Sequence, residues 1–185
     1  MRLFIAIELP SEIKRELGKL RTAIPGVRWV PPEQIHLTLA FLGDVDEETT
    51  GRLTAQLAVI RENTFKLSCG NIGCFPDRRR PRVIWIGVKP EPGLQKLAAA
   101  VQQSALYAGI LMEERPFSPH LTLARLKLPA TAELGAFLDL MSRKTFEPFS
   151  VREFTLFQSR LTSQGAVHIP VRCYPLTDTG SEVIC

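Results

Sequence analysis

The sequence predicts an α+β fold with two similar lobes in one domain, and three observations support this class. Apolar residues alternate in short segments typical of strands, and they recur at helical spacing in the longer segments between them. The pentapeptide HLTLA at 36–40 returns at 120–124, an offset of 84 residues. No low-complexity linker separates the two copies. We therefore expect a tandem repeat within a single domain.

The first half of the chain is expected to alternate between strands and helices. A helix is predicted over 11–24, because its apolar residues recur every three or four positions. Asp46 is a suitable N-cap for a second helix, since its side chain can accept hydrogen bonds from the first turn. The Pro31-Pro32 pair marks a turn before one of the strands. Strands are predicted where apolar residues alternate, at 2–9, 35–42, 65–75 and 82–89.

The second half repeats this order. A third helix over 93–108 is expected to end at Gly109, because glycine readily takes the left-handed conformation that ends helices. The remaining elements are a strand at 120–127, a helix around 134–141, and extended segments near 149–161 and 168–176. We expect one domain over residues 1–180, with the first repeat in 2–90 and the second in 82–177.

Composition restricts the classes of protein that fit. The chain has 185 residues and a net charge of +4, so it can bury a core without a metal or disulfide and mildly favours anionic partners. No segment has the length of a membrane span. The start MRLFIAIE turns acidic too soon for a secretory signal. We expect a cytoplasmic monomer without a membrane partner.

The repeated motif suggests phosphoryl chemistry. Side chains two apart on a strand share one face, so His36 and Thr38 point together, as do His120 and Thr122. If both pairs face one groove, one imidazole can take a proton from a nucleophile while the other gives one to a leaving oxygen. The threonine hydroxyls can donate to phosphate oxygens. This scheme needs no metal and no cofactor.

A single His-x-Thr pair is more often structural than catalytic. The chain has only three histidines, however, and two of them occupy equivalent places in the repeat. The third, His168, lacks a threonine partner, and we interpret it as structural. A zinc site built from all three histidines stays open as an alternative.

Longer segments around both motifs resemble the two-histidine (2H) phosphoesterase superfamily, and most closely its LigT-like RNA 2',3'-cyclic phosphodiesterases, also called 2'-5' RNA ligases. The resemblance implies a LigT-like bilobal fold, with duplicated β-α-β-α-β units and antiparallel sheets around a central groove. The segments that carry it are RLFIAIELP at 2–10, HLTLAFLG at 36–43, RPFSPHLTLAR at 115–125 and FTLFQSRL at 154–161.

The resemblance also implies an activity, the hydrolysis of RNA ends or nucleotides with a 2',3'-cyclic phosphate to 2'-phosphates. By this analogy His36 is the proton donor and His120 the proton acceptor. Thr38 and Thr122 hold the phosphate. Two alternatives stay open: 2'-5' RNA ligation by the reverse reaction, and a module that binds RNA ends or nucleotides without turnover.

Substrate contacts are expected at two further places. The family resemblance implies them for Phe41 and Arg125, each five residues after a motif histidine. Because five is odd, these side chains reach the histidine face only if the strands twist or bulge. The run 78–80 holds three arginines between two expected strands. An RNA contact and a solvated hairpin tip are equally good interpretations of this run.

Overall fold

The computed structural model describes residues 1–112, 116–127, 131–162 and 165–178, and these residues have an α+β fold as predicted. The predicted domain end at residue 180 lies outside them. Four α-helices are described: α1 (Ser11–Gly18), α2 (Glu47–Ala58), α3 (Pro92–Tyr107) and α4 (Ala132–Met141). The strands are β1 (Arg2–Glu8), β2 (Val27–Trp29), β3 (His36–Asp44), β4 (Phe65–Leu67), β5 (Cys69–Phe75), β6 (Val83–Val88), β7 (His120–Leu126), β8 (Phe149–Val151), β9 (Glu153–Thr162) and β10 (Gly165–Pro175).

The main sheet is antiparallel and has β3 and β7 at its centre. Its strands follow the order β10-β9-β1-β3-β7-β6-β5, with β2 also paired to β7, while β4 and β8 form a separate pair. Leu37, Leu39 and their equivalents in β7 are buried on one face, where α3 packs against β3 and α2. None of the described helices is long and apolar enough to cross a bilayer.

The sequence repeat corresponds to a local twofold relationship. Strands β3 and β7 are paired at Leu37 and Leu121, which are equivalent residues of the two copies. Strands β4 and β8 are centred on the pair Lys66 and Ser150, which have the same 84-residue offset. Equivalent residues face each other in antiparallel strands only when a twofold axis passes between them. Each of these two pairs therefore lies on a local twofold axis.

The first helix is shorter than predicted. It ends at Gly18 rather than at residue 24, and its last turn closes with the tighter bond from Leu20 N to Leu17 O. A Cβ on Gly18 would lie 3.1 Å from Pro32 Cγ, so a larger residue there would have to displace the proline ring by a few tenths of an ångström. Leu20 and Ile24 are nevertheless buried. Their helical spacing correctly indicated that these side chains are buried. An irregular backbone can bury them as well as a helix can.

Two extended segments each divide into two strands. The predicted segment 65–75 becomes β4 and β5, and the segment 149–161 becomes β8 and β9. In both, the first three residues pair with each other across the twofold axis and the remainder joins the main sheet. Alternating apolar residues indicate extended backbone but carry no information about which sheet a strand joins. Strand β2 was not predicted.

Candidate active site

The two His-x-Thr motifs lie side by side at the centre of the sheet. The register through Leu37 and Leu121 brings His36 across from Thr122, and Thr38 across from His120, because partner numbers in antiparallel strands have a constant sum. Two residues along a strand and one strand across separate the histidine Cα atoms by roughly 8 Å. This spacing leaves room for one phosphate between the two imidazoles.

All the predicted site residues border one cavity of about 540 Å³, which is within the usual range for small-molecule sites. They come from two strands, and neither half of the chain supplies the set alone. The residues are His36, Thr38, Phe41, His120, Thr122 and Arg125.

Both catalytic candidates have the same tautomer. Nδ1 of His36 lies 2.8 Å from the main-chain oxygen of Gln34, and Nδ1 of His120 lies 2.7 Å from that of Ser118. A carbonyl oxygen only accepts hydrogen bonds, so each Nδ1 carries the proton. Nε2 is then the atom that can exchange a proton with a ligand. Gln34 and Ser118 were not singled out from the sequence, although they too are 84 residues apart.

His36 lies in an aromatic environment. Its ring centroid is 4.9 Å from that of Phe4 and 6.4 Å from that of Phe157. Burial lowers the pKa of His36 from 6.5 to about 4, and the positive charges of His168 and Lys14 act in the same direction, while the Gln34 carbonyl opposes them. In the free protein His36 is therefore neutral near pH 7, and a bound anion is needed to restore its proton.

His168 borders the same cavity, which the sequence did not indicate. Its ring is 5.0 Å from that of His36 in an edge-on arrangement and 4.8 Å from that of Phe4. Burial lowers its pKa as well, and its Nδ1 is buried without a partner among the described residues. In the described part of the chain, no three His, Cys, Asp or Glu side chains are placed to hold a metal.

Strand bulges turn Phe41 and Arg125 towards the cavity. The pairing of β1 with β3 skips Leu39, and the pairing of β6 with β7 skips the equivalent Leu123. Each extra residue reverses the alternation beyond it. Phe41 is consequently 72% exposed, although it is five residues from His36. The strand bulges that these two side chains need in order to reach the histidine face are therefore present. The contacts of Phe41 and Arg125 with a substrate stay predictions.

The cavity is strongly basic. Arg2 and Arg28 border it together with Arg125, and no carboxylate does so among the described residues. Arg28 and Arg125 are direct cross-strand partners. This pairing places two guanidinium groups at one wall of the cavity. The sequence did not single out Arg2 or Arg28, because both come from other strands.

The arginine run forms the tip of the β5–β6 hairpin, outside the cavity lining. Arg78 Nη1 makes an ion pair with Asp139 Oδ1 at 2.6 Å. The Asp77 carboxylate accepts hydrogen bonds from the main-chain nitrogens of Arg79 and Arg80. One of the three arginines is thus already paired, and an RNA contact of this loop stays a prediction.

The sequence matches a family model described as LigT like phosphoesterase twice, over residues 7–85 and 86–168. An RNA 2',3'-cyclic phosphodiesterase of Archaeoglobus fulgidus is 35% identical over 177 residues, which covers 94% of this chain and 99% of that protein. The enzyme of the same name from Escherichia coli is 33% identical and covers 95% of this chain and 97% of that protein.

Solved structures have the same fold. The crystal structure of TT0787 from Thermus thermophilus superposes with a TM-score of 0.83 at 30% identity, over 97% of this chain and 100% of that one. The crystal structure of Escherichia coli LigT complexed with 3'-AMP superposes with a TM-score of 0.79 at 32% identity, over 95% of this chain and 98% of that one.

Proposed function

This chain belongs to the LigT-like phosphoesterase family, and we propose that it hydrolyses RNA ends with a 2',3'-cyclic phosphate to 2'-phosphates. One observation carries the proposal. Two histidines with their Nδ1 atoms bound to main-chain carbonyls border one basic cavity, so both Nε2 atoms are available to one ligand. Relatives of the same length are named for this activity.

The proposed reaction is an in-line displacement at phosphorus. Nε2 of His120 takes a proton from water as the water oxygen attacks. The P–O3' bond breaks on the opposite side, and O3' receives a proton from Nε2 of His36. The products are a 2'-phosphate and a 3'-hydroxyl, and solvent returns both imidazoles to their starting states.

Binding of the anionic substrate favours the protonated form of His36, which is the form that can donate a proton. Burial holds its pKa at about 4 in the free protein. A phosphate a few ångströms away favours the imidazolium, since an opposite charge at that distance raises a histidine pKa. His36 therefore gains its proton as the phosphate binds, and the dry surroundings that lower its pKa strengthen the attraction.

The remaining polar groups stabilise charge on the phosphate. Thr38 and Thr122 donate hydrogen bonds to its non-bridging oxygens from opposite sides. Arg125 supplies a fixed positive charge with a planar, two-pronged donor geometry. Phe41 offers an exposed ring next to these groups, where a nucleoside can stack.

We further propose that the protein works as a monomer in the cytoplasm. A single chain supplies both motif strands and the whole cavity lining described above, so no second copy is needed for the chemistry. Sedimentation velocity tests the first point, and a fluorescent fusion in the source cell tests the second.

The activity is tested with the purified protein in EDTA and an RNA ending in a 2',3'-cyclic phosphate. We expect turnover with a 2'-phosphate as the sole new end, identified by phosphorus NMR. Formation of a 3'-phosphate would contradict the assigned leaving oxygen. Loss of turnover in EDTA would favour the zinc alternative, and binding without turnover would favour the non-catalytic module.

A further inference from the structure

A row of three polar side chains borders the cavity on the His36 side of the site. The antiparallel register of β1 with β9 places Arg2 opposite Ser159. Ser159 in turn pairs directly with His168 in β10. Direct cross-strand partners point to the same face of a sheet. The guanidinium, the hydroxyl and the imidazole therefore lie in one row across β1, β9 and β10, and all three residues border the cavity.

An aromatic row lies between these polar side chains and the catalytic imidazole. Phe4 comes two residues after Arg2, and Phe157 comes two residues before Ser159, so both point to the same face as the polar row. Their rings stack with centroids 5.1 Å apart, and the Phe4 ring lies 4.9 Å from that of His36. The polar row is thus one aromatic row away from the proton donor of the proposed reaction.

The polar row has hydrogen-bonding capacity that no described protein group uses. Nδ1 of His168 is buried without a partner among the described residues, so Nε2 is the nitrogen that a ligand in the cavity can reach. Arg2 is exposed and forms no ion pair in the described part of the chain, although Asp44 is its cross-strand partner in β3. Guanidinium, imidazole and hydroxyl groups all donate hydrogen bonds to phosphate oxygens. The row therefore has the chemistry of a phosphate site.

The direction of the proposed reaction determines which part of the substrate lies near this row. Water attacks from the side of His120 and O3' leaves towards His36, so the ribose that bears O3' lies on the His36 side of phosphorus. The ribose has two further substituents, the base and O5'. The exposed ring of Phe41 offers a stacking surface for the base. O5' is then the substituent that can extend towards the polar row.

We propose that Arg2, Ser159 and His168 form a second phosphate subsite, which binds the phosphate on O5' of the nucleoside that bears the cyclic phosphate. The inference rests on the proposed function. In an RNA this group is the phosphodiester that joins the last nucleoside to the chain, and in a free nucleotide it is a 5'-phosphate monoester. The subsite makes the preferred substrate one that has both phosphates.

The test compares three substrates that differ at O5'. They are adenosine 2',3'-cyclic phosphate with a 5'-hydroxyl, the same nucleoside with a 5'-phosphate, and a dinucleotide whose phosphodiester occupies that position. The quantity measured is the ratio of kcat/KM with a phosphate on O5' to kcat/KM with the 5'-hydroxyl. An effect on the catalytic groups alone cancels in this ratio.

We expect a wild-type ratio of at least about tenfold, as for one hydrogen bond to a charged group. Arg2→Gln should lower the ratio at least about threefold, as for the loss of an exposed ion pair. His168→Phe keeps a ring beside Phe4 and removes the donor, and combined with Arg2→Gln it should bring the ratio close to one. A gain with both substrates that have a phosphate on O5' supports the subsite and identifies the RNA chain as its ligand. A gain with the monoester alone supports it with a free nucleotide as the ligand.

Arg160→Gln is the matched control for the loss of one positive charge. Arg160 follows Ser159 in β9 and is exposed. It borders neither this cavity nor a second one, of about 570 Å³, on the other side of His120. Arg160→Gln should keep the wild-type ratio. A wild-type ratio near one overturns the proposal. Equal losses in Arg160→Gln and Arg2→Gln also overturn it, because general attraction to a basic surface would then explain the gain.

A binding measurement separates the subsite from the proposed function. A protein that hydrolyses none of the three substrates fails the proposed function, and calorimetric titration with two nucleotides still tests the subsite. We expect adenosine 2',5'-bisphosphate to bind the wild-type protein at least about tenfold more tightly than adenosine 2'-phosphate. The Arg2→Gln/His168→Phe double variant should bind both with similar affinity. Equal affinities in the wild type, or a preference that survives in the double variant, contradict the subsite.

Discussion

Leu37 and Leu121 are direct cross-strand partners at the centre of the sheet, and they are also the middle residues of the two His-x-Thr motifs. This single pair sets the geometry of the site. Each histidine lies across from the threonine of the other copy, so a phosphate on the twofold axis meets the same two groups from both sides. Such symmetry suits a reaction that takes a proton on one side and gives one on the other.

The threonines are expected to contribute through their hydroxyls alone. Thr38→Val and Thr122→Val keep the shape of the side chain and remove its hydroxyl donor. Each should lower kcat by about 10-fold or more, which is less than the loss usually seen when a fixed donor to a developing oxyanion is removed. The effect should be milder than that of removing either histidine. Steady-state kinetics with a 2',3'-cyclic mononucleotide measures it. A kcat unchanged in both variants would remove the threonines from the phosphate site.

The pKa of His36 should depend on whether the cavity holds an anion. Burial lowers it to about 4 in the free protein, and a bound nucleoside 2'-phosphate should raise it by at least about one unit. NMR titration of the His36 imidazole measures both values, with a His36→Asn sample to assign the resonance. An identical pKa with and without the nucleotide would show that the phosphate binds elsewhere.

Acidification should destabilise the protein through His36. The unfolded imidazole titrates near 6.5 and the folded one near 4, so the folded state binds this proton more weakly. Neutral His36 contributes up to about 3 kcal/mol to the free energy of unfolding. This contribution is fully present above pH 6.5 and is lost as the pH falls towards 4. Urea unfolding at pH 7 and pH 4.5 measures the loss.

His36→Asn is the matched variant for this measurement, because asparagine keeps a donor for the Gln34 carbonyl but does not titrate. It should lose markedly less unfolding free energy than the wild type between the two pH values. His168 has a lowered pKa from burial as well and is present in both proteins, so the difference reports on His36 together with its repulsion by His168. Equal losses would mean that the site histidine is solvated.

Arg125 should account for part of the salt dependence. Arg125→Gln removes one phosphate contact, so the slope of log(kcat/KM) against log salt concentration should fall by about 0.7 for a single-stranded substrate. Arg143→Gln, at an exposed position that borders neither cavity, should leave the slope unchanged. The two slopes are compared on one cyclic-phosphate-ended oligonucleotide, and equal slopes would place the substrate phosphate away from Arg125.

The arginine loop is tested separately. If it meets RNA, changing Arg78, Arg79 and Arg80 together to alanine should raise KM for oligonucleotides and flatten its dependence on salt. Arg78 is held by its ion pair with Asp139, so direct contacts with RNA phosphates are expected from Arg79 and Arg80. A dependence on salt that is unchanged in the triple variant would confine the loop to a structural role.

The positions of His36 and Thr38 could be predicted from the sequence because they depend on alternation along one strand. Phe41 could be placed only conditionally, since the bulge at Leu39 results from pairing with β1 and leaves no local pattern. His168 reaches the cavity from β10, which is an edge strand of the sheet and is separated from β7 by three other strands. Its contact with His36 depends on strand order, which apolar spacing does not encode.

The ends of elements were the least predictable part of the fold. The apolar spacing through Leu20 and Ile24 suggested a longer helix, and both side chains are buried, but the helix ends at Gly18, where the backbone passes close to Pro32. The carbonyls of Gln34 and Ser118 could have been found by extending the 84-residue offset two positions before each histidine. That search needs only the repeat and no structure.

The sharpest test is the turnover of His36→Ala and His120→Ala on an RNA 2',3'-cyclic phosphate, with folding verified by urea unfolding at pH 7. Each variant should lose at least about 100-fold in kcat, the lower range for removing a general acid or base. A near-normal kcat in either folded variant would show that the two imidazoles do not exchange protons with the same phosphate.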